Sequence, residues 1–111
     1  MEITDAIRAF ASLAQETRLA VFRLLVIHEP SGLPAGAIAE ALAVPANTLS
    51  FHLHHLSQAG LVTQRKDGRS VIYRADIGTA TALASYLVND CCAATGAACD
   101  PPTEPKKDRA C

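Results

Sequence analysis

Residues 45–74 read PANTLSFHLHHLSQAGLVTQRKDGRSVIYR, and a change of period inside this stretch decides the fold. At 100° per residue, Leu49, Leu53 and Leu56 fall on one side of a helix, which predicts a stripe facing the core. Asn47, Ser50, Phe51, His54 and Gln58 fall on the other side, with Thr48 and His55 at the border. Pro45 suits the start of that helix and Gly60 its stop. Residues 61–65 and 70–74 then favour strands on either side of Lys66-Asp67-Gly68-Arg69, and Asp-Gly is the strongest short hairpin signal. A helix followed at once by a hairpin with a basic tip outlines a recognition helix and its wing.

Working outward, Pro34 fits the first position of a short helix to about Leu42, with Ile38, Ala39 and Leu42 inward. Only Ala43 and Val44 separate it from Pro45, the tight joint of a helix-turn-helix, with Ala43 near the place where a glycine is usual. Upstream, Ile3, Ile7, Phe10 and Ala14 predict an amphipathic helix over 3–14. Leu19, Val21, Phe22, Leu25 and Val26 predict a buried central helix over 16–28, broken by Glu29-Pro30-Ser31-Gly32. Downstream, Ile77, Ala80, Leu83, Ala84, Leu87 and Val88 form a fifth helical stripe. The fold class is therefore mainly α with a small β-hairpin: a winged helix-turn-helix over residues 1–92. A cysteine-bearing segment, 91–99, follows it. The prolines and charges of residues 100–111 predict a disordered tail.

A chain of 111 residues, half of them hydrophobic, makes one domain with a modest core. No apolar run reaches the roughly 18 to 20 residues that span a bilayer. The opening MEITDAIRAF lacks a basic leader, so the expectation is a cytoplasmic protein with no membrane partner. The formal net charge of −1 is not that of a generally basic nucleic-acid binder. The charge is uneven, however: residues 44–75 hold Arg65, Lys66, Arg69 and Arg74 against Asp67 alone. A local basic segment, doubled in a dimer, serves where the whole-chain sum does not. A recognition helix reads bases near its N-terminus, so Asn47, Ser50, Phe51 and His54 are the candidate base contacts. Phe51 has the chemistry to pack on thymine methyls. Thr48 and His55 suit phosphates, and Arg65, Lys66 and Arg69 suit an adjacent minor groove. His52 lies beside the leucines and reads as a satisfied, half-buried histidine.

These residues resemble a known family. Residues 14–25, AQETRLAVFRLL, are similar to the second-helix signature of ArsR/SmtB-type metalloregulators. Residues 48–62 resemble their recognition helix and residues 67–74 their wing, and the likeness covers roughly residues 3–92. The resemblance implies a homodimer joined through the first and last helices, operator DNA as partner, and repression relieved by an inducer. One arsenic-sensing type of this family carries a C-x-C-x-x-C cluster at the start of the helix-turn-helix, and residues 33–44 contain no cysteine. Zinc sensors of the family use Asp and His along the fifth helix, which here offers Asp76 and no histidine.

All four cysteines lie after residue 90. In a reducing compartment such clustering points to metal binding or redox sensing rather than a disulfide framework. Cys91, Cys92 and Cys99 resemble a third variant of the family, in which two adjacent cysteines after the last helix join a third a few residues on. Three thiolates suit a soft centre. Arsenic(III), with three bonds and a lone pair, is completed by three sulfurs, and antimony(III) fits the same geometry. Tetrahedral zinc wants a fourth ligand, for which the candidate is Cys111 in the tail. Neighbouring cysteines on a regular helix point about 100° apart, so they converge more easily where the helix frays. The expectation is an arsenite-responsive repressor that releases DNA when arsenic binds. The alternative is a thiol-based redox or persulfide sensor of the same fold. A thiol enzyme is not expected, because neither a C-x-x-C nor a cysteine in a phosphate-cradling loop occurs.

Overall fold

The computed structural model describes residues 1–94. Five helices and three strands follow in the order α1 (Ile3–Leu13), α2 (Glu16–Ile27), β1 (Leu33–Pro34), α3 (Ala35–Leu42), α4 (Ala46–Gln58), β2 (Val62–Asp67), β3 (Ser70–Ala75) and α5 (Ile77–Val88). Local chemistry sets most of these boundaries. The Gln15 side chain accepts a hydrogen bond from the Arg18 amide at 2.9 Å and opens α2. Asp76 does the same for the Thr79 amide at 3.1 Å and opens α5. The two helices of the helix-turn-helix end alike. Ala43 (φ 53°) and Gly60 (φ 76°) turn left-handed. The Val44 amide then donates to the Ala39 carbonyl and the Leu61 amide to that of Leu56, both at 3.0 Å. Pro34 and Pro45 are the residues before α3 and α4, one position earlier than expected, both with extended backbones.

The core gathers Val21, Phe22 and Leu25 of α2, Ile38 of α3, and Leu49, Leu53 and Leu56 of α4. Leu61, Val62, Ala75 and Leu83 close it from the wing and α5, with Ala6 and Ala9 of α1 beneath. Each large side chain sealed this way contributes about 1.5–3 kcal/mol. The inward face of α1 differs from the expected stripe. Ala6, Ala9 and Ser12 are buried, whereas Ile3 and Ile7 are each 60 % exposed. In α5 only Leu83 is buried, and Leu87 is 64 % exposed. Ile3 and Ile7 of α1 and Leu87 and Val88 of α5 therefore point out of the protomer, while Phe10, Leu13 and Leu83 pack toward the core. Leu19 and Ile27 of α2 are exposed as well.

The wing is larger than a hairpin. The sheet order is β1-β3-β2, with Leu33 opposite Tyr73 and Pro34 opposite Ile72. A two-residue strand containing proline has no period to betray it in a sequence. Gly32 admits this pairing: its φ is 75°, and a Cβ there would lie 2.5 Å from the Tyr73 carbonyl oxygen. Alongside, Arg74 forks onto Glu29, with Nη2 donating to Oε1 at 2.7 Å and Nε to Oε2 at 3.2 Å. Arg74 therefore leaves the basic segment, its charge answered inside the protomer. No helix among the described residues is long and apolar enough to cross a membrane.

Candidate nucleic-acid interface and cysteine pair

The leucine stripe anchors α4 so that its opposite side is presented to solvent. Leu49, Leu53 and Leu56 are sealed, and Asn47, Thr48, Ser50, Phe51, His54 and His55 are all exposed. Asn47 turns its side-chain oxygen back onto the Thr48 amide at 3.0 Å. Phe51, 58 % exposed, meets the His55 ring edge-on at 4.5 Å between centroids. It is thus one of a small aromatic ledge rather than an isolated apolar side chain. His54 lies 6.4 Å from His55 at a steep interplanar angle of 77°.

His52 is the buried member of the histidine run, 8 % exposed. Its Nδ1 lies 3.3 Å from Nη1 of Arg18, whose Nε donates to the Ser12 carbonyl at 2.7 Å. Burial holds the His52 pKa below its ordinary value, and the neighbouring Arg18 and His55 charges add to the effect. A neutral ring accepting from a guanidinium is what the surroundings favour. Sequence periodicity placed His52 by the leucines but gave no sign of Arg18, 34 residues away.

Beyond α4 the wing follows as β2 and β3, paired from Val62 with Ala75 to Asp67 with Ser70. Arg65, Lys66 and Arg69 are exposed. Successive strand residues point to opposite faces. Arg65 and Lys66 therefore divide between the two faces of the ribbon, and Lys66 shares the face of Gln64. A cavity of about 230 Å³ lies between helix and ribbon, bounded by Ser50, His54, Ser57, Gln64 and Tyr73 among others. Gln64 is a polar side chain at the seam of helix and wing that the hairpin pattern did not single out.

At the other end of the molecule, α5 stops at Val88 and the chain turns sharply. Asp90 and Cys92 both take left-handed backbones, φ 64° and 67°, and the Cys91 amide donates to the Val88 carbonyl at 3.1 Å. Both cysteines thus lie past the helix, where 3.6-residue geometry no longer holds them apart. Their Sγ atoms are 3.5 Å from each other, Cys92 exposed and Cys91 partly so. The hydrogen bond shared with Cys92 pushes the Cys91 thiol up from its ordinary pKa, with burial and the Cys92 charge adding to it. Cys99 and the tail over 100–111 lie outside the described residues. No group of three or more metal-ligating side chains occurs among the described residues. Asp76, the carboxylate at the start of α5, accepts from the Thr79 amide and caps that helix.

A helix-turn-helix domain family model matches residues 13–65, from the end of α1 into the wing. An uncharacterised HTH-type transcriptional regulator of Bacillus subtilis, YceK, is 38 % identical over 68 residues, covering 60 % of this chain and 67 % of that one. Among solved structures, a homodimeric winged helix-turn-helix DNA-binding domain from Mycobacterium bovis, described as a possible ArsR-family transcriptional regulator, is 30 % identical. It superposes with a TM-score of 0.64 over 78 % of each chain. A crystal structure described as a possible transcriptional regulator for arsenical resistance is 32 % identical, with a TM-score of 0.61 over 69 % of this chain and 77 % of that one.

Proposed function

Because this chain belongs to the ArsR family of winged helix-turn-helix transcriptional regulators, we propose that it is a repressor that releases operator DNA when arsenic(III) binds Cys91, Cys92 and Cys99. The observation that carries the arsenic half is the pair of sulfurs 3.5 Å apart at the end of α5. With bonds near the Zn–S length of about 2.3 Å, one atom bridges that gap at an angle of about 100°. Such an angle suits a pyramidal three-sulfur centre, and antimony(III) is the nearest substitute. Cys99, seven residues after Cys92, supplies the third sulfur in this reading. The similarity to a structure described as a possible transcriptional regulator for arsenical resistance supports this reading.

The DNA half rests on the exposed face of α4. Asn47, Ser50, Phe51 and His54 contact bases, Thr48 and His55 contact phosphates, and Arg65, Lys66 and Arg69 reach the flanking groove. The protein acts as a homodimer, as the Mycobacterium bovis domain is described to be, and in this reading the seam runs through α1 and α5. Two recognition helices must then sit about 34–36 Å apart to read successive major grooves. An inducer that reorders residues 91–99 pulls on the end of α5, at that seam. It acts only through a difference in affinity between DNA-competent and DNA-incompetent arrangements.

The test is operator binding by fluorescence anisotropy with increasing arsenite. Wild type releases DNA, and Cys91→Ser holds it at the same arsenite concentration. Release by the single mutant at that concentration sinks the assignment. Sulfur ligands must lose protons, and Cys91 holds its proton more tightly than usual, so the arsenite needed rises as pH falls. Mass spectrometry after arsenite, peroxide or polysulfide treatment separates an arsenic adduct from the disulfide or persulfide of a redox sensor.

A further inference from the structure

We propose that a basic cavity between α1, α2 and α4 is a binding site for a small organic oxyanion, a carboxylate or a phosphate ester, that joins the first helix to the recognition helix. The cavity measures about 300 Å³ and is bounded by Arg8, Ser12, Arg18, His55 and Gln58 with two alanines. That volume is at the lower end for ligand pockets and matches a compact molecule.

The chemistry of the wall is one-sided. No carboxylate lines it, while two guanidiniums and an imidazole do. The acids nearby, Asp5 and Asp76, belong to the adjoining cavity, which shares only the Arg8, Gln58 and Ala59 wall. Arg18 is held in place by the Ser12 carbonyl and by His52, yet its Nη2 donates to nothing among the described residues. Ser12 adds a hydroxyl, buried and without a hydrogen-bond partner among the described residues. One fixed guanidinium, a second beside it and spare donors next to apolar alanines are what a carboxylate or phosphate on a small carbon frame requires.

The source of the anion needs separating, because a backbone phosphate of DNA carries the same chemistry. The position favours a free molecule. Gln58 is the last residue of α4, far from the end that enters a groove, and Ser12 is 6 % exposed, so the inner wall lies away from the face offered to DNA. His55 also meets Phe51, so an anion drawing on this imidazole bears on the DNA-facing ledge.

The experiment titrates DNA-free protein with benzoate and with inorganic phosphate, following backbone amide shifts by NMR. Saturable shifts at Ser12, Arg18 and Gln58 are expected from at least one probe. Arg8→Gln, on the exposed surface of α1, weakens them about tenfold, the loss of one charge-assisted contact. Arg8→Lys restores most of the affinity. Shifts linear in concentration for both probes, or an unchanged titration in Arg8→Gln, overturn the proposal. A second arm measures operator binding by Arg8→Gln without added anion. Wild-type affinity is expected, and a tenfold loss assigns the cavity to a DNA phosphate instead. Neither arm uses arsenite, so failure of the cysteine reading leaves both interpretable.

Discussion

At the scale of single residues, the histidines of α4 divide by environment. His54 and His55 face solvent, while His52 is sealed against the leucines and accepts from Arg18. The folded state keeps His52 neutral, so the unfolded chain takes up its proton first as pH falls below the ordinary value of 6.5. The stability this group contributes is whole above that pH and is lost as pH falls toward the depressed folded value. Urea midpoints at pH 7.5, 6.0 and 5.0 should decline, and His52→Gln should decline less steeply over the same range. An equal slope in both proteins would remove His52 as the cause. Glu29 follows the same sign at lower pH. The Arg74 hydrogen bond lowers its pKa from the usual 4.5, so its contribution disappears only as the medium passes below that value.

At the scale of elements, the turn between α3 and α4 holds a stored cost. Ala43 sits in the left-handed region that glycine occupies without penalty. Ala43→Gly should raise stability by about 0.5 to 1 kcal/mol, the relief of that conformation less the entropy glycine adds to the unfolded chain. Thermal or urea unfolding reads it directly, and a destabilised variant refutes the conformational account. The position was legible in the sequence because Pro34, Pro45 and the leucine stripe leave only two residues for the joint. All five helices were legible for the same reason: period and caps are local. β1 was not, since its two residues carry no alternation and its existence depends on Gly32 allowing Tyr73 to approach. The cysteine pair was legible as chemistry, but the turn that brings the sulfurs together depends on left-handed backbones at Asp90 and Cys92, which are not glycines.

At the scale of the whole molecule, the exposed apolar faces of α1 and α5 ask for a partner. The sequence marked both stripes as hydrophobic faces and left their direction open, since periodicity does not distinguish burial within a protomer from burial between two. Ile3, Ile7, Leu87 and Val88 remain open while Ala6, Ala9 and Ser12 are buried on the inward side of α1. If a second copy covers them, Ile7→Glu should sediment as a monomer and bind operator far more weakly, with the same circular dichroism as wild type. A variant that remains dimeric puts the seam elsewhere.

The short β1–β3 pairing, braced by Glu29 and Arg74, has a consequence for how such a molecule is controlled. It bolts the approach to α3 onto the wing, so the ribbon and the helix-turn-helix of one protomer are tied as a single jaw. In the proposed dimer two such jaws work like a caliper, and an inducer at the cysteines resets the reading at the pivot, where the two halves meet, without first breaking that tie.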